Sequence, residues 1–153
     1  LITLEADIVG VFTNENRRLN SDFRDLKELC IKHDIPVRSG ENINAPDTIE
    51  WIKLLCPDIL FCFGWSRLLK REVLEIAPKG VVGFHPSALP KNRGRHPLIW
   101  ALVLGLRETA TSFFFMEEQA DTGDIIKIFF ALSDISFLNT YSKKPCCDVS
   151  LRS

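Results

Sequence analysis

The feature that most constrains the fold is the run Asp58 to Gly64, D-I-L-F-C-F-G, which is apolar at nearly every position. A half-buried strand alternates apolar and polar residues, so an unbroken apolar run of this length reads as a parallel strand covered on both faces, and not as an edge. Parallel neighbours need crossover connections, usually helices, and the flanking sequence supplies them. Ala6 to Thr13 is apolar and β-branched, and the polar run Asn14 to Asn20 follows it as a loop. Ser21 offers a helix N-cap, with Asp22 and Asp25 in the first turn and Phe23, Leu26, Cys30 and His33 at helical spacing. A short strand is expected at Ile35 to Arg38. Pro46 and Asp47 then open a second helix whose apolar face carries Ile49, Ile52 and Leu55 or Cys56.

Beyond the central run, Ser66 is placed to cap a third helix reaching Ala77, with Leu69, Val73 and Ile76 inward. Pro78-Lys79-Gly80 turns the chain into another buried-type strand, Val81 to His85. Residues 86–95 carry two prolines and a glycine and read as a loop, and Pro97 suits the first turn of a helix to Leu106 that is apolar nearly all round. Such a helix is expected to be deeply packed. Two aromatic-rich strands, Thr109 to Glu117 and Asp124 to Ala131, meet through the turn Gln119 to Gly123. The predicted class is α/β, an open and mostly parallel sheet ending in an antiparallel strand pair. Residues 1–132 form the expected domain, and residues 133–153, where periodicity stops, an irregular tail.

Length and composition bound the function. A chain of 153 residues is one domain's worth, and 46% hydrophobic with 25% charged residues excludes disorder over most of it. With 19 Lys plus Arg against 20 Asp plus Glu, there is no global basic field to hold nucleic acid by its backbone. No apolar run approaches the roughly 18 to 20 residues of a membrane span. The expectation is a soluble protein with neither membrane nor nucleic-acid partners. The five cysteines are an odd set without C-x-x-C spacing, and Cys30, Cys56 and Cys62 lie inside apolar patterns, which reads as buried thiols in a reducing cytosol. Cys146 and Cys147, adjacent in a polar tail, are the pair open to a reactive or metal-binding role. Leu1 to Ala6 has neither an initiator Met nor the pattern of a signal peptide, and reads as a chain entered part-way.

In an open α/β sheet the ligand crevice lies beyond the carboxyl ends of the strands. Neither a G-x-G-x-x-G turn nor a G-x-x-x-x-G-K-[ST] loop occurs there, so the dinucleotide and P-loop phosphate cradles are absent. The three histidines have no spacing that places two on one helix face, so no metal site is expected. His85 ends an apolar strand and precedes Pro86, which holds it extended at the sheet's rim. Two readings stand side by side: a ring that merely bonds a loop carbonyl, or a group that donates to a developing oxyanion or takes up a proton. Asp121 sits in an Asp-x-Gly turn, ordinary turn chemistry unless it keeps company with His85.

The string H-P-S-A-L-P-K-N-R-G at 85–94, followed by D-T-G-D-I at 121–125, resembles the folate-dependent formyltransferase family, whose loop reads H-x-S-x-L-P-x-x-x-G and whose later turn reads D-x-G. The likeness runs from the first strand to Ile128 and is similar to the branch that N-formylates amino sugars attached to nucleotides. It is similar also, more weakly, to methionyl-tRNA formyltransferase and glycinamide ribonucleotide transformylase. The resemblance implies a Rossmann-like fold, cytoplasmic location, N10-formyltetrahydrofolate as co-substrate, an amino sugar nucleotide as acceptor and a homodimer. It implies that His85 stabilises the tetrahedral oxyanion and that Asp121 holds the histidine and helps move protons. Where the family has an Asn two residues before the His, this chain has Gly83, and Asn92 is the leading substitute donor. Phe61 to Leu69 matches the folate-pocket segment, with Phe63, Gly64, Trp65, Leu68 and Asp121 as contacts. Lys91, Arg93, Arg95 and His96 are placed to hold a nucleotide diphosphate, with Arg17 and Arg18 as further cations. The family's first strand and helix, and the helix expected after Ile128, have no match here. One alternative is a chain that binds folate or nucleotide without turnover. Another is a catalytic domain like that of methionyl-tRNA formyltransferase.

Overall fold

The computed structural model describes residues 2–14, 25–65 and 67–132, with the backbone alone at 131 and 132. Ser21, Asp22, Phe23, Arg17 and Arg18, the cap at Ser66, Cys146 and Cys147, and the 133–153 tail lie outside the described residues.

A 3-10 turn, Ile2–Leu4, leads to β1 (Val11–Thr13), which pairs in parallel with β2 (Val37–Ser39) through α1 (Lys27–Lys32). The helix α2 (Pro46–Leu54) starts with proline in its first turn, where a missing N–H costs nothing. A second sheet has the order β3 (Leu60–Cys62), β4 (Val81–His85), β5 (Glu108–Phe115), β6 (Ile125–Leu132). The β3–β4 pair is parallel and the β4–β5–β6 ladder antiparallel, which matches the expected α/β class and its terminal pair. The helix α3 (Arg71–Leu74) lies between β3 and β4 in the chain, and α4 (Pro97–Val103) between β4 and β5.

Leu69, Val73 and Val81 form the packed core, with Leu60, Cys62, Trp65 and Met116 against it. On the other face of the four-stranded sheet, Phe61, Phe63, Phe84, Phe113 and Phe129 run in edge or tilted contacts with ring centroids 5.4 to 6.2 Å apart.

Three expectations need correction. The apolar run 58–64 is an edge after all: β3 pairs only with β4 among the described strands, and Phe61 and Phe63 are 49% and 51% exposed. An apolar run records what a strand could bury, and β1 does not come alongside to bury it. The helix α4 is not deeply packed: Ala101 is its one buried residue, while Leu98, Ile99, Trp100, Leu102 and Val103 are about half exposed or more. A helix laid against a single layer can cover only one stripe, whatever its other faces carry. Cys56 is exposed, its φ of 47° placing it in the turn that leaves α2.

Between β1 and β3 lies an apolar cavity of about 410 Å³, lined among others by Val9, Val11, Trp51, Leu55, Phe61 and Trp65. The two sheets flank it without joining.

Candidate active site

His85 is the last residue of β4, 6% exposed, and shares the face of Val81 and Gly83. Its Nδ1 lies 3.3 Å from Asp121 Oδ1. Its Nε2 is 3.0 Å from the main-chain carbonyl of Asn92. The ring thus bonds a loop carbonyl, as the first reading of His85 has it, and it also faces the Asp121 carboxylate. A carbonyl and a carboxylate only accept, so both ring nitrogens are satisfied together when each carries a proton. The other carboxylate oxygen of Asp121 accepts the Gly94 N–H at 2.7 Å. Asp121, at φ 54°, thus does more than shape its own turn. It clamps the loop to the sheet while it faces His85.

Asn92, also left-handed at φ 54°, presents an acceptor and not a donor to the ring through its backbone. At Gly83 a Cβ would come 2.8 Å from Met116 Cγ and 2.9 Å from Phe114 Cζ. Phe114 pairs with Gly83 across the ladder, so its ring occupies the space that a side chain two residues before His85 would take. That is the physical reason for glycine here.

Sequence reasoning missed Ser112. It sits opposite His85 on β5, fully buried, and its hydroxyl donates to the Ser87 carbonyl at 2.7 Å and accepts the Leu89 N–H at 3.1 Å. The available signal was a serine set against the apolar run Phe113 to Phe115, a place where a hydroxyl must find partners. Ser87, quoted within the loop motif, donates in turn to the Lys91 carbonyl at 2.9 Å.

The segment carrying Phe63, Gly64, Trp65 and Leu68 is pinned by the loop before α2. Asn44 donates to the Leu68 carbonyl at 3.0 Å and accepts the Lys70 N–H at 2.8 Å, and Arg67 donates to the Glu41 carbonyl. Phe63 and Leu68 are exposed, whereas Trp65 packs edge-on to Phe12, and its buried indole N–H has no partner among the described residues. Lys91, Arg93, Arg95 and His96 are all exposed along the loop that carries Asn92 and Gly94. Burial pushes the Cys62 thiol up to about 11 and raises that of Cys30, so neither is a thiolate nucleophile near neutral pH. Among the described residues no group of three His, Cys, Asp or Glu is placed to hold a metal ion.

His85 and Asp121 thus form a His–carboxylate pair at the end of a strand on an α/β scaffold. The family model described as formyl transferase matches residues 2–129, and the chain belongs to that family. The fold agrees: phosphoribosylglycinamide formyltransferase from Bacillus halodurans superposes with a TM-score of 0.71 at 21% identity, over 88% of this chain and 72% of that one. The enzyme of that name from Streptococcus pneumoniae gives 0.68 at 21% identity, over 87% and 76%. A Mycobacterium tuberculosis protein for which sugar N-formyltransferase activity has been suggested gives 0.57 at 17%, over 84% and 56%. The chain accordingly belongs to the folate-dependent formyltransferases, a family of one-carbon transferases whose co-substrate is N10-formyltetrahydrofolate.

Proposed function

We propose that this chain transfers the formyl group of N10-formyltetrahydrofolate to the primary amine of an amino sugar nucleotide. The observation that carries the reading is the loop 91–96, which sets Lys91, Arg93, Arg95 and His96 in solvent while Asn92 and Gly94 of the same loop are tied to His85 and Asp121. A diphosphate held by those cations would bring its sugar amine to the histidine.

In the proposed reaction the amine nitrogen attacks the formyl carbon, and the carbonyl electrons move onto oxygen. The His85 N–H stabilises that oxyanion in place of the bond to Asn92, and Asp121 holds the imidazolium. Collapse breaks the carbon–N10 bond, the proton shed by the amine passes to N10, and tetrahydrofolate leaves beside the formamide. The Asn92 side-chain amide is the proposed second donor, since Gly83 supplies none. Phe63, Gly64, Trp65 and Leu68, with Asp121, are proposed to line the folate ring. Residues 1–132 are proposed as the catalytic domain, of a cytoplasmic and homodimeric enzyme.

A second reading rests on a specific observation. With Phe114 and Met116 filling the place of a donor at position 83, and Nε2 already bonded to Asn92, the chain could bind folate and nucleotide without turnover. The test is tetrahydrofolate release with N10-formyltetrahydrofolate and, separately, a panel of nucleotide-linked amino sugars, glycinamide ribonucleotide and methionyl-tRNA. Release with an amino sugar nucleotide supports the first reading. Release with glycinamide ribonucleotide alone, as the names of the Bacillus and Streptococcus enzymes would have it, replaces the acceptor, and release with methionyl-tRNA alone does the same. Binding of ligands without release selects the second reading. Replacing Arg93 and Arg95 together should weaken acceptor binding in a salt-sensitive way and spare folate.

A further inference from the structure

We infer that Ser112 and Ser87 are positioning residues for His85, acting through the loop and not on substrate. Their bonds form a closed circuit. Ser112 Oγ holds the Ser87 carbonyl and the Leu89 N–H, and Ser87 Oγ holds the Lys91 carbonyl. The Lys91 N–H bonds the Ala88 carbonyl at 2.9 Å, which fixes the turn that aims the next carbonyl, that of Asn92, at His85 Nε2. The Ser87 N–H closes the circuit on the His85 carbonyl at 2.9 Å.

Packing alone does not call for these hydroxyls. Ser112 is 0% and Ser87 2% exposed, and at such depth an alanine would avoid the cost of desolvating a hydroxyl. Every bond the two side chains make goes to the one loop that meets the ring. What they determine is where the Asn92 carbonyl stands, and through it which way the imidazole faces and that Nε2 carries a proton. Asp121 sets the ring from the Nδ1 side, and the serines set it from the other.

The catalytic consequence rests on formyl transfer as proposed above, but the ring's state can be read without turnover. The chain has three histidines, so selective ¹⁵N-histidine labelling resolves each one. In the parent chain the His85 Nε2–H should give a ring resonance protected from solvent exchange. Ser112→Ala and Ser87→Ala should each lose that protection with the fold retained by circular dichroism, while Ser112→Thr keeps it. Turnover should follow the resonance, with kcat falling on the order of 10²-fold in the Ala variants and the folate KM moving by less than about 3-fold. An Ala variant that keeps both the protected resonance and kcat overturns the inference. So does loss of activity only in proportion to unfolded protein, or a parent with no protected ring N–H. If the resonance responds as described in a chain that transfers no formyl group, the positioning role stands and the functional reading falls.

Discussion

The β4–β5–β6 side of the molecule and the β1–β2 side are both built on strands carrying apolar residues, yet they end in opposite states. On the first, each strand of the ladder has its partner, Phe114 packs on Gly83, and buried hydroxyls close a hydrogen-bonded circuit around His85. On the second, β1 has β2 on one edge and a cavity of about 410 Å³ on the other, with β3 across it. The difference teaches that apolar content does not make a rigid site. Pairing on both edges removes the freedom of the backbone, and only then can a few polar atoms be held to the tolerance that proton transfer requires.

The largest expected effect is at the ring itself. His85→Ala and Asp121→Ala should each lower formyl transfer by about 10³-fold or more, and the double variant should be little worse than either, because the two act as one unit. Tetrahydrofolate release measures it. Additive losses, or a His85→Ala enzyme keeping more than about a tenth of its activity, would reduce the His–Asp contact to a loop fastener.

What the amino-acid sequence makes legible follows the same division. Val81 to His85 was readable to the residue, because a proline ends the strand and a proline–glycine turn begins it. His85 and Asp121 were legible as a pair through their motifs, but the atoms that complete the site are main-chain atoms, the Asn92 carbonyl and the Gly94 N–H. Every residue has those groups, so composition cannot mark them. Ser112 escaped for a related reason: its role depends on cross-strand register with His85, a contact between residues far apart in the chain. The errors at Asp58 to Gly64 and Pro97 to Leu106 are of another kind. Both runs are apolar, and nothing local to a run states what will cover it.

Cys62 tests the boundary between the two sides, since it belongs to β3, pairs with Gly83 and lines the cavity. Burial raises its thiol from 9.0 to about 11. Between those values the unfolded chain sheds a proton that the folded chain keeps. The stabilisation is therefore complete below pH 9.0 and lost as pH rises through about 11. Two units correspond to about 3 kcal/mol as an upper bound. Denaturant midpoints of the parent and Cys62→Ala across that window should differ in slope. Equal slopes would mean that water reaches the thiol and that the cavity extends past β3.

Gly83 probes the closed side. A Cβ there meets the ring of Phe114, itself only 3% exposed, and the middle of the Met116 side chain, not its free end. Gly83→Ala should cost about 1 to 3 kcal/mol, and Gly83→Asn should lie at the upper end without raising the rate. Thermal melts and turnover decide it. A Gly83→Asn chain that is both stable and faster would show that Phe114 swings aside and that position 83 is a donor site standing empty.

Gly10 supplies the matched probe on the open side, and its effect should be the smallest. A Cβ there also meets a side chain, Leu55 Cδ1, more closely than real contacts allow, with Trp51 Cη2 at 3.3 Å. By distance alone Gly10→Ala looks worse than Gly83→Ala. Yet Leu55 Cδ1 is the free end of a flexible chain, and Leu55 and Trp51 both line the cavity, so they can turn into it. The third neighbour, the Pro36 carbonyl at 3.5 Å, is in ordinary contact. Adding a methyl also removes conformational freedom from the unfolded chain, a gain of about 0.4 to 1 kcal/mol where the backbone accepts it. Gly10→Ala should therefore fall within about 1 kcal/mol of the parent, in either direction. Chemical denaturation of the two alanine variants side by side reads the contrast directly. If Gly10→Ala costs as much as Gly83→Ala, the space between β1 and β3 is as tightly held as the sheet around His85, and the division of the molecule into a closed and an open side fails.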